Sequence, residues 1–531
     1  MKVRLLYPDG EWVHPVSYFD REEIIRDLNL TIIFRTAGSI FSEGNRDKPH
    51  GSSERDAFVT EMMRKVMMVP LLCERDLLYR QEIVRESMRN YSFMEALYNL
   101  AKQANSEIER FAAVKKEKWY RNGDNDRSRL LLTELEYLDR QVFYLDELKK
   151  LLLEQTGEFA SEGLGEFKCR FLSEYHEEYQ TTLHEVLHDL AEAAAGGMVE
   201  LSARLGKRLE MTDLVLCRIK DKEPERGIGK KVTEKFEMLA RNLLISGAHV
   251  ENLENLNLLQ EVTELRNTAL ASLMSFFIPF LEEKEDFFSQ LYQQTAFYIG
   301  AVNLCRQMQR FHVPVCFSEV TPRKDLWFDG LVELSLALYN QNLPVSNRLD
   351  AHDKYLVVVT GANQGGKSTF LRSLGIAQIM HQCGLFVAAE HFGAGLYRNV
   401  FTHFTRREDS AMNSGRLDEE LGRMERIFDH ITEDSVLYLN ESFATTTEKE
   451  GSVIAGDIVK ALYDRKIRVM MVTHLLAFAR ECYATHPEHA VFLAAERLEN
   501  GHRTFHIVET APEQTSYGLD LYDELELDKK E

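Results

Sequence analysis

The sequence has no apolar run long enough to cross a bilayer. The longest, LASLMSFFIPFL at 270–281, contains Pro279 and falls short of the roughly 20 residues a spanning helix needs. The opening MKVRLLYPDGEW lacks the apolar core of a secretory signal, so neither a signal peptide nor a transmembrane helix is expected. Cysteine is sparse: seven residues, at 73, 169, 217, 305, 316, 383 and 482, odd in number and with no C-x-x-C pair. They read as reduced thiols of a cytoplasmic protein. Positive charge is in deficit, with 64 Lys and Arg against 85 Asp and Glu, a formal net charge of −21. That excludes a surface gripping nucleic acid everywhere. It leaves room for a local basic channel, because phosphates respond to charge within a Debye length of roughly 8–10 Å.

What is present is ordinary for a soluble globular protein, 44% hydrophobic and 28% charged. At 531 residues the chain is too long for one core, and two or three domains are expected. Residues 1–56 mix short strand-like runs (VRLLY, LTIIF) with turn signals and end in a polar linker, SEGNRDKPHGSSERD. Residues 57–339 carry helical patterning. There Leu131, Leu138, Leu145 and Leu152 recur every seven residues with Leu135 and Val142 between them, a stripe better suited to a core-facing helix than to a coiled coil. Gly196 and Gly197 end another helix, and DKEPERGIGKK at 221–231 reads as a loop between helical arms. From 340 to 531 strands and helices alternate. The expected architecture is mixed: an α-helical body followed by an α/β P-loop domain.

The P-loop lies in YLVVVTGANQGGKST, residues 355–369. A β-branched run, Leu356–Val359, ends in G-x-x-x-x-G-K-S, and a helix, Thr369–Met380, follows. Gly361, Gly365 and Gly366 let successive backbone N–H groups approach phosphate at the positive end of that helix. Lys367 would reach the β- and γ-phosphates and the Ser368 hydroxyl would ligate Mg²⁺. The nucleotide-binding set is Gly361, Ala362, Asn363, Gln364, Gly365, Gly366, Lys367, Ser368 and Thr369.

A second apolar strand, SVLYLNES at 435–442, ends in a carboxylate. Glu441 would orient and deprotonate the attacking water. Asn440, where Asp is usual, would meet a Mg²⁺-bound water through its carbonyl oxygen without adding charge. A third strand, RVMMVTHL at 468–475, ends in Thr473-His474. Such a histidine is often a satisfied core residue, but beside a P-loop the reading as a γ-phosphate sensor is favoured.

GANQGGKST, the NES strand end, VTH and TSYGL at 515–519 together resemble the ATPase domain of the MutS family of DNA mismatch-repair proteins. TGANQGGKSTFLRS with CGLFVAAE, FTHF, SGRLDEEL and NESFATTTEKEGS is most similar to a short bacterial MutS-like branch, in which Asn in place of Asp recurs. The likeness spans 340–531. Over 57–336 it rests mainly on VPLLCERDLLYRQEIVRESM at 69–88, which is similar to the start of the MutS helical core.

The resemblance implies an ABC/MutS-type fold with a core/lever-like body, and ATP and Mg²⁺ as cofactors. It also implies a homodimer in which each ATP is completed by the partner's signature segment, here Ser414-Gly415-Arg416, so Ser414 would act in trans. His506, eleven residues before Tyr517, is similar to a family His that packs on the adenine. Asn347 matches a family Asn beside the nucleotide, with Pro344 where MutS has an aromatic. A MutS-like mismatch sensor would also need an N-terminal domain with a Phe-x-Glu wedge and a connector. About 45 residues cannot hold them, so classical mismatch reading is not expected, nor is a Smr-like nuclease tail after TSYGL.

His184-Glu185-Val186-Leu187-His188 matches H-E-x-x-H, a zinc-protease pattern, but no convincing third ligand follows beyond Glu192 or Glu200, and the segment reads more readily as a solvated amphipathic helix. Two basic regions are candidate DNA contacts, although a solvated face is the commoner explanation of each. One is KKEKWYR, with Lys115, Lys116, Lys118 and Arg121 beside Trp119 and Tyr120. The other comprises Lys207, Arg208, Arg218, Lys220, Lys222, Arg226, Lys230 and Lys231. The expectation is a cytoplasmic ATPase that dimerises and moves helical arms around mismatched or branched DNA. The rivals are a nucleotide-gated protein-interaction scaffold and, more remotely, a helical zinc protease through His184, Glu185 and His188.

Overall fold

The computed structural model describes residues 2–9, 16–39, 56–121, 127–155, 157–194, 198–205, 211–220, 258–362, 364–405, 415–485, 488–498 and 503–512. They form helices together with mixed α/β sheets. Two compact units are distinguished, one of Met1–Val3, Ser92–Phe159 and Leu164–Thr295, the other of Arg4–Tyr91, Ala160–Gly163 and Ala296–Glu531.

In the first unit the leucine stripe lies on the helix Arg127–Glu154. Leu138, Val142, Leu145 and Leu152 are fully buried and Leu135 nearly so; the same helix meets the helix Glu177–Ala194 through Asp146 and Lys149, and its Tyr137 stacks on Phe111 at 3.9 Å. The stripe therefore faces a core within its own unit. The side chain of Leu131 lies outside the described residues. The expectation of an all-helical body needs correction, because Met198–Leu205 and Met211–Lys220 pair as an antiparallel two-stranded ribbon. The apolar run of the second, Leu214–Cys217, is too short to establish a helical period.

In the second unit, Asp56 caps the helix Ala57–Met67, accepting from Phe58 N at 3.0 Å and Val59 N at 3.2 Å. Val59, Met62, Met63, Val66 and Met67 then fall on one buried face. The strand reading of LTIIF fails: Thr31–Ala37 is a helix. Leu30, Ile33, Phe34 and Ala37 are all buried, and their spacing of three and four makes one helical face, which overrides the β-propensity of the isoleucines. VRLLY forms no strand either. Its carbonyls are taken by side chains instead: Arg4 O by the Tyr79 hydroxyl, Leu5 O by Tyr298, and Leu6 O by Arg80 at 2.9 Å. Arg80 is fully buried and its guanidinium also donates to Cys383 O at 3.0 Å, the C-cap of the helix Lys367–Gln382.

Six strands make the main sheet, in the order Asn399–Phe404, Ser435–Asn440, Arg468–Val472, Leu356–Thr360, Ala490–Arg497 and Arg503–Glu509. The first five are mutually parallel and the last is antiparallel. Leu356–Thr360 and Arg468–Val472 are buried at every position, as parallel strands covered on both faces must be. Strand pairing also begins earlier than 340. Glu319–Val320, His391–Ala394, Leu326–Leu331 and Asn347–Ala351 form a second sheet, and Cys316–Phe317 pairs with Phe386–Val387. The register of the main sheet sets Asn440 beside Val472 and Val472 beside Val359. Parallel strands end on the same side, so the residues that follow them, Gly361, Glu441 and Thr473-His474, are delivered to one edge.

Candidate functional site

At that edge the chain leaves Thr360 through a tight loop. Gly361 has φ +107° and Gly366 φ +90°, conformations that favour glycine, and Gln364 is also left-handed at φ +60°. A Cβ on Gly365 would stand 2.6 Å from the Ala495 methyl, so the loop fits closely against the neighbouring strand. The helix Lys367–Gln382 starts directly after Gly366 and points its N-terminal end at the loop.

Lys367 is buried. Its Nζ donates to Gly361 O at 2.9 Å and Ala362 O at 3.1 Å and stands 4.0 Å from Glu441 Oε1. Burial lowers its ammonium from the ordinary lysine value, with Glu441 opposing. Glu441, at φ +55°, accepts through Oε2 from His474 Nδ1 at 2.6 Å, which makes Nδ1 the protonated nitrogen. Burial alone would raise the Glu441 carboxyl. The bond and charge of His474, with Lys367 behind them, outweigh it and hold the group below the usual carboxylate value. The same bond raises the imidazole of His474 against the effect of burial.

Lys367, Ser368, Thr369 and Glu441 line a cleft of about 520 Å³, together with Gln364, Gly365 and Gly366 of the loop. Asn347, Pro344 and Phe505 also line it, with Phe505 beside Gly366 of the loop. The Asn347 side chain is engaged, its Oδ1 accepting from Ile507 N at 2.7 Å. His506 is exposed, with Nδ1 3.2 Å from Ser346 O, whereas its neighbour Phe505 borders the cleft with a left-handed φ of +62°. Phe505 escapes a reading by motif; its one sequence signal is an aromatic ring next to His506. Asn440 ends its strand with Oδ1 buried and without a hydrogen-bond partner among the described residues, while its backbone carbonyl accepts from Thr405 N at 3.1 Å.

Asn363, Ser414, Tyr517 and the whole TSYGL segment lie outside the described residues, as do Lys207, Arg208, Lys222, Arg226, Lys230, Lys231 and the loop 221–231. The same holds for the linker at 42–55, for Gly196 and Gly197, and for the side chains of Lys118, Trp119, Tyr120, Arg121, Glu192, Glu200, Arg218 and Lys220. Gly415 is described, as the N-cap of the helix Arg416–His430. His184 and His188 share the helix Glu177–Ala194, but His184 Nε2 pairs with Asp146 Oδ2 at 2.8 Å. No group of three metal-ligating side chains gathers among the described residues, so the zinc reading has no third ligand there. No helix among them is long and apolar enough to cross a membrane.

Two family profiles match the chain, one described as the MutS2 N-terminal domain over residues 74–311 and one as MutS domain V over 357–529. The DNA mismatch repair protein MutS of Thermus thermophilus is 31% identical over 178 residues, 33% of this chain and 22% of that protein. MutS of Petrotoga mobilis is 28% identical over 177 residues, covering 32% and 21%. MutS of Thermotoga petrophila is 28% identical over 205 residues, covering 37% and 26%. The matched region thus spans about a fifth to a quarter of the length of these relatives.

Proposed function

Because this chain belongs to the MutS family, we propose that it is a Mg²⁺-dependent ATPase whose nucleotide cycle, run in a homodimer, moves helical segments around mismatched or branched DNA. The observation that carries this reading is the meeting of Lys367, Ser368 and Glu441 in one cleft, with His474 bonded to Glu441 behind it. Gly361–Thr369 cradles the triphosphate with backbone N–H groups. The Lys367 ammonium exchanges the carbonyls of Gly361 and Ala362 for phosphate oxygens. Glu441 is ionised at neutral pH and takes a proton from the attacking water, while His474 holds its carboxylate in place and senses the γ-phosphate.

The residues present fit a magnesium ion. The Ser368 hydroxyl lines the cleft, and the buried Oδ1 of Asn440, the residue before Glu441, has no hydrogen-bond partner among the described residues. When bound, the ion would neutralise charge on the phosphates. Asn347 and His506 belong to the base side in this reading, and Ser414 reaches the partner's nucleotide. We place the protein in the cytoplasm.

The test is ATP turnover with mismatched, branched and plain duplex DNA, paired with a DNA-binding titration against salt. Stimulation by one DNA structure, with affinity falling steeply as salt rises, is the expected result. The net charge of −21 motivates a second reading, a nucleotide-gated protein scaffold. Turnover and binding indifferent to every DNA would favour it.

A further inference from the structure

The turn that follows Glu441 is held by one helix and one strand. Glu420, on the helix Arg416–His430 and only 5% exposed, accepts through Oε2 from the Phe443 backbone N–H and from the Thr445 hydroxyl, both at 3.1 Å. The backbone carbonyl of Glu420 accepts from His403 Nε2 at 3.1 Å, His403 Nδ1 stands 2.7 Å from Ser442 Oγ, and the Ser442 hydroxyl lies 2.9 Å from the His403 carbonyl. His403, Ser442 and Phe443 are all fully buried. The clamped backbone is an unusual one, because Glu441 at φ +55° and Phe443 at φ +64° are both left-handed without being glycine. A chain holds two such residues so close together only where its surroundings over-determine them.

Glu420 is an expensive residue to bury. Desolvation raises its carboxyl although Thr445 and Phe443 oppose this, and its other oxygen, Oε1, is buried with no hydrogen-bond partner among the described residues. Filling space does not require that charge. Holding two donors of the turn does.

We propose that Glu420 is a positioning residue for Glu441: its carboxylate clamps the turn behind Glu441 and so fixes where the Glu441 carboxylate sits relative to Lys367 and His474. The proposal rests on the reading of Glu441 as the group that activates water. Without the clamp, the Phe443 N–H loses its acceptor and the two left-handed residues relax. Glu441 then moves, while the phosphate loop at 361–369, a separate segment from the turn that Glu420 holds, keeps its grip on nucleotide. The signature of such a role is a fall in kcat at constant KM.

The experiment measures steady-state ATP hydrolysis, calorimetric ATP binding and thermal melting of the full chain carrying Glu420→Ala, Glu420→Gln or Thr445→Val, each alone and combined with Glu441→Gln. Glu420→Ala is expected to lower kcat about 10- to 100-fold, the scale of a displacement near 1 Å at a reacting group, with KM within about twofold of the parent. Glu420→Gln retains an acceptor oxygen and recovers most of the rate. In the Glu441→Gln background, Glu420→Ala adds no further loss, because the two residues act as one unit. An unchanged kcat in folded Glu420→Ala, or an equal loss in both backgrounds, overturns the proposal. Normal turnover by Glu441→Gln itself overturns the underlying reading of Glu441, and is told apart because that variant leaves Glu420 intact. If Glu420→Ala does not fold, Thr445→Val decides: a several-fold loss of kcat at constant KM supports the clamp, and an unchanged rate overturns it.

Discussion

Replacing Glu441 by Gln leaves the shape of the site and removes its charge, and the effect on stability should depend on pH in a defined direction. His474 gains a charged partner on folding, so its folded pKa lies above the unfolded value. Its contribution is fully present below the unfolded value, near 6.5, and is lost as pH rises through the folded one. Glu441 is shifted downward, so its contribution is present above the unfolded value and lost as pH falls through the folded one. Both are in force between about pH 5 and 6.5. Opposite charges 4 Å apart attract by about 4 kcal/mol at an effective dielectric of 20. The His474 side chain is 40% exposed, so solvent screening reduces the net term to about 1 kcal/mol. The expected outcome is therefore that the melting-temperature gap between parent and Glu441→Gln, read by fluorimetry, changes in favour of the parent by about 2–4 °C between pH 8.5 and pH 5.5. A gap that stays constant, or shifts the other way, refutes the ion-pair argument.

Lys367→Ala should abolish ATP binding by calorimetry while the melting curve stays cooperative, since the lysine is held by loop carbonyls and disfavoured by burial. Unchanged affinity would remove the loop from the nucleotide site. Asn440→Asp should lower the Mg²⁺ concentration for half-maximal activity roughly fivefold, because an added charge leaves about 1 kcal/mol after desolvation; a Mg²⁺ titration with an equal or higher midpoint refutes it. Gly361→Ala places a Cβ 2.9 Å from the Ala495 backbone nitrogen at φ +107°, and should cost about 1–3 kcal/mol in denaturant melts as well as nucleotide affinity.

The site was legible because its parts are local patterns. Strands buried on both faces read as unbroken apolar runs, and a parallel sheet forces their ends together, so Gly361, Glu441 and His474 could each be found from the run before it. What stayed hidden depends on partners far along the chain. Phe505 borders the cleft from the short strand RTFHIVE, which carries no motif that marks it. Asn347 could be chosen by likeness, but nothing in sequence foretells that its oxygen is engaged by Ile507 N. The same limit explains VRLLY and LTIIF. Both have strand propensity, yet tertiary burial turns one into a helix and gives the other's carbonyls to Tyr79, Tyr298 and Arg80. The ribbon was missed although Val199, Leu201, Ala203 and Leu205 alternate with Glu200, Ser202 and Arg204, a strand signal outweighed by the long helical surroundings.

The buried guanidinium of Arg80 has a consequence for biosynthesis. One of its acceptors, Leu6 O, leaves the ribosome before it; the other, Cys383 O, follows 303 residues later. At translation rates of about 5–20 residues per second that interval lasts on the order of 15–60 s. Tyr18 repeats the delay, since its hydroxyl waits for the Gln382 side-chain amide made 364 residues later. Through that time the early helices of the second unit carry an arginine destined for the interior and apolar faces without their cover. Nascent chains arrested upstream of residue 383 are accordingly the species expected to recruit chaperones, and chains released after it the species expected to fold cooperatively.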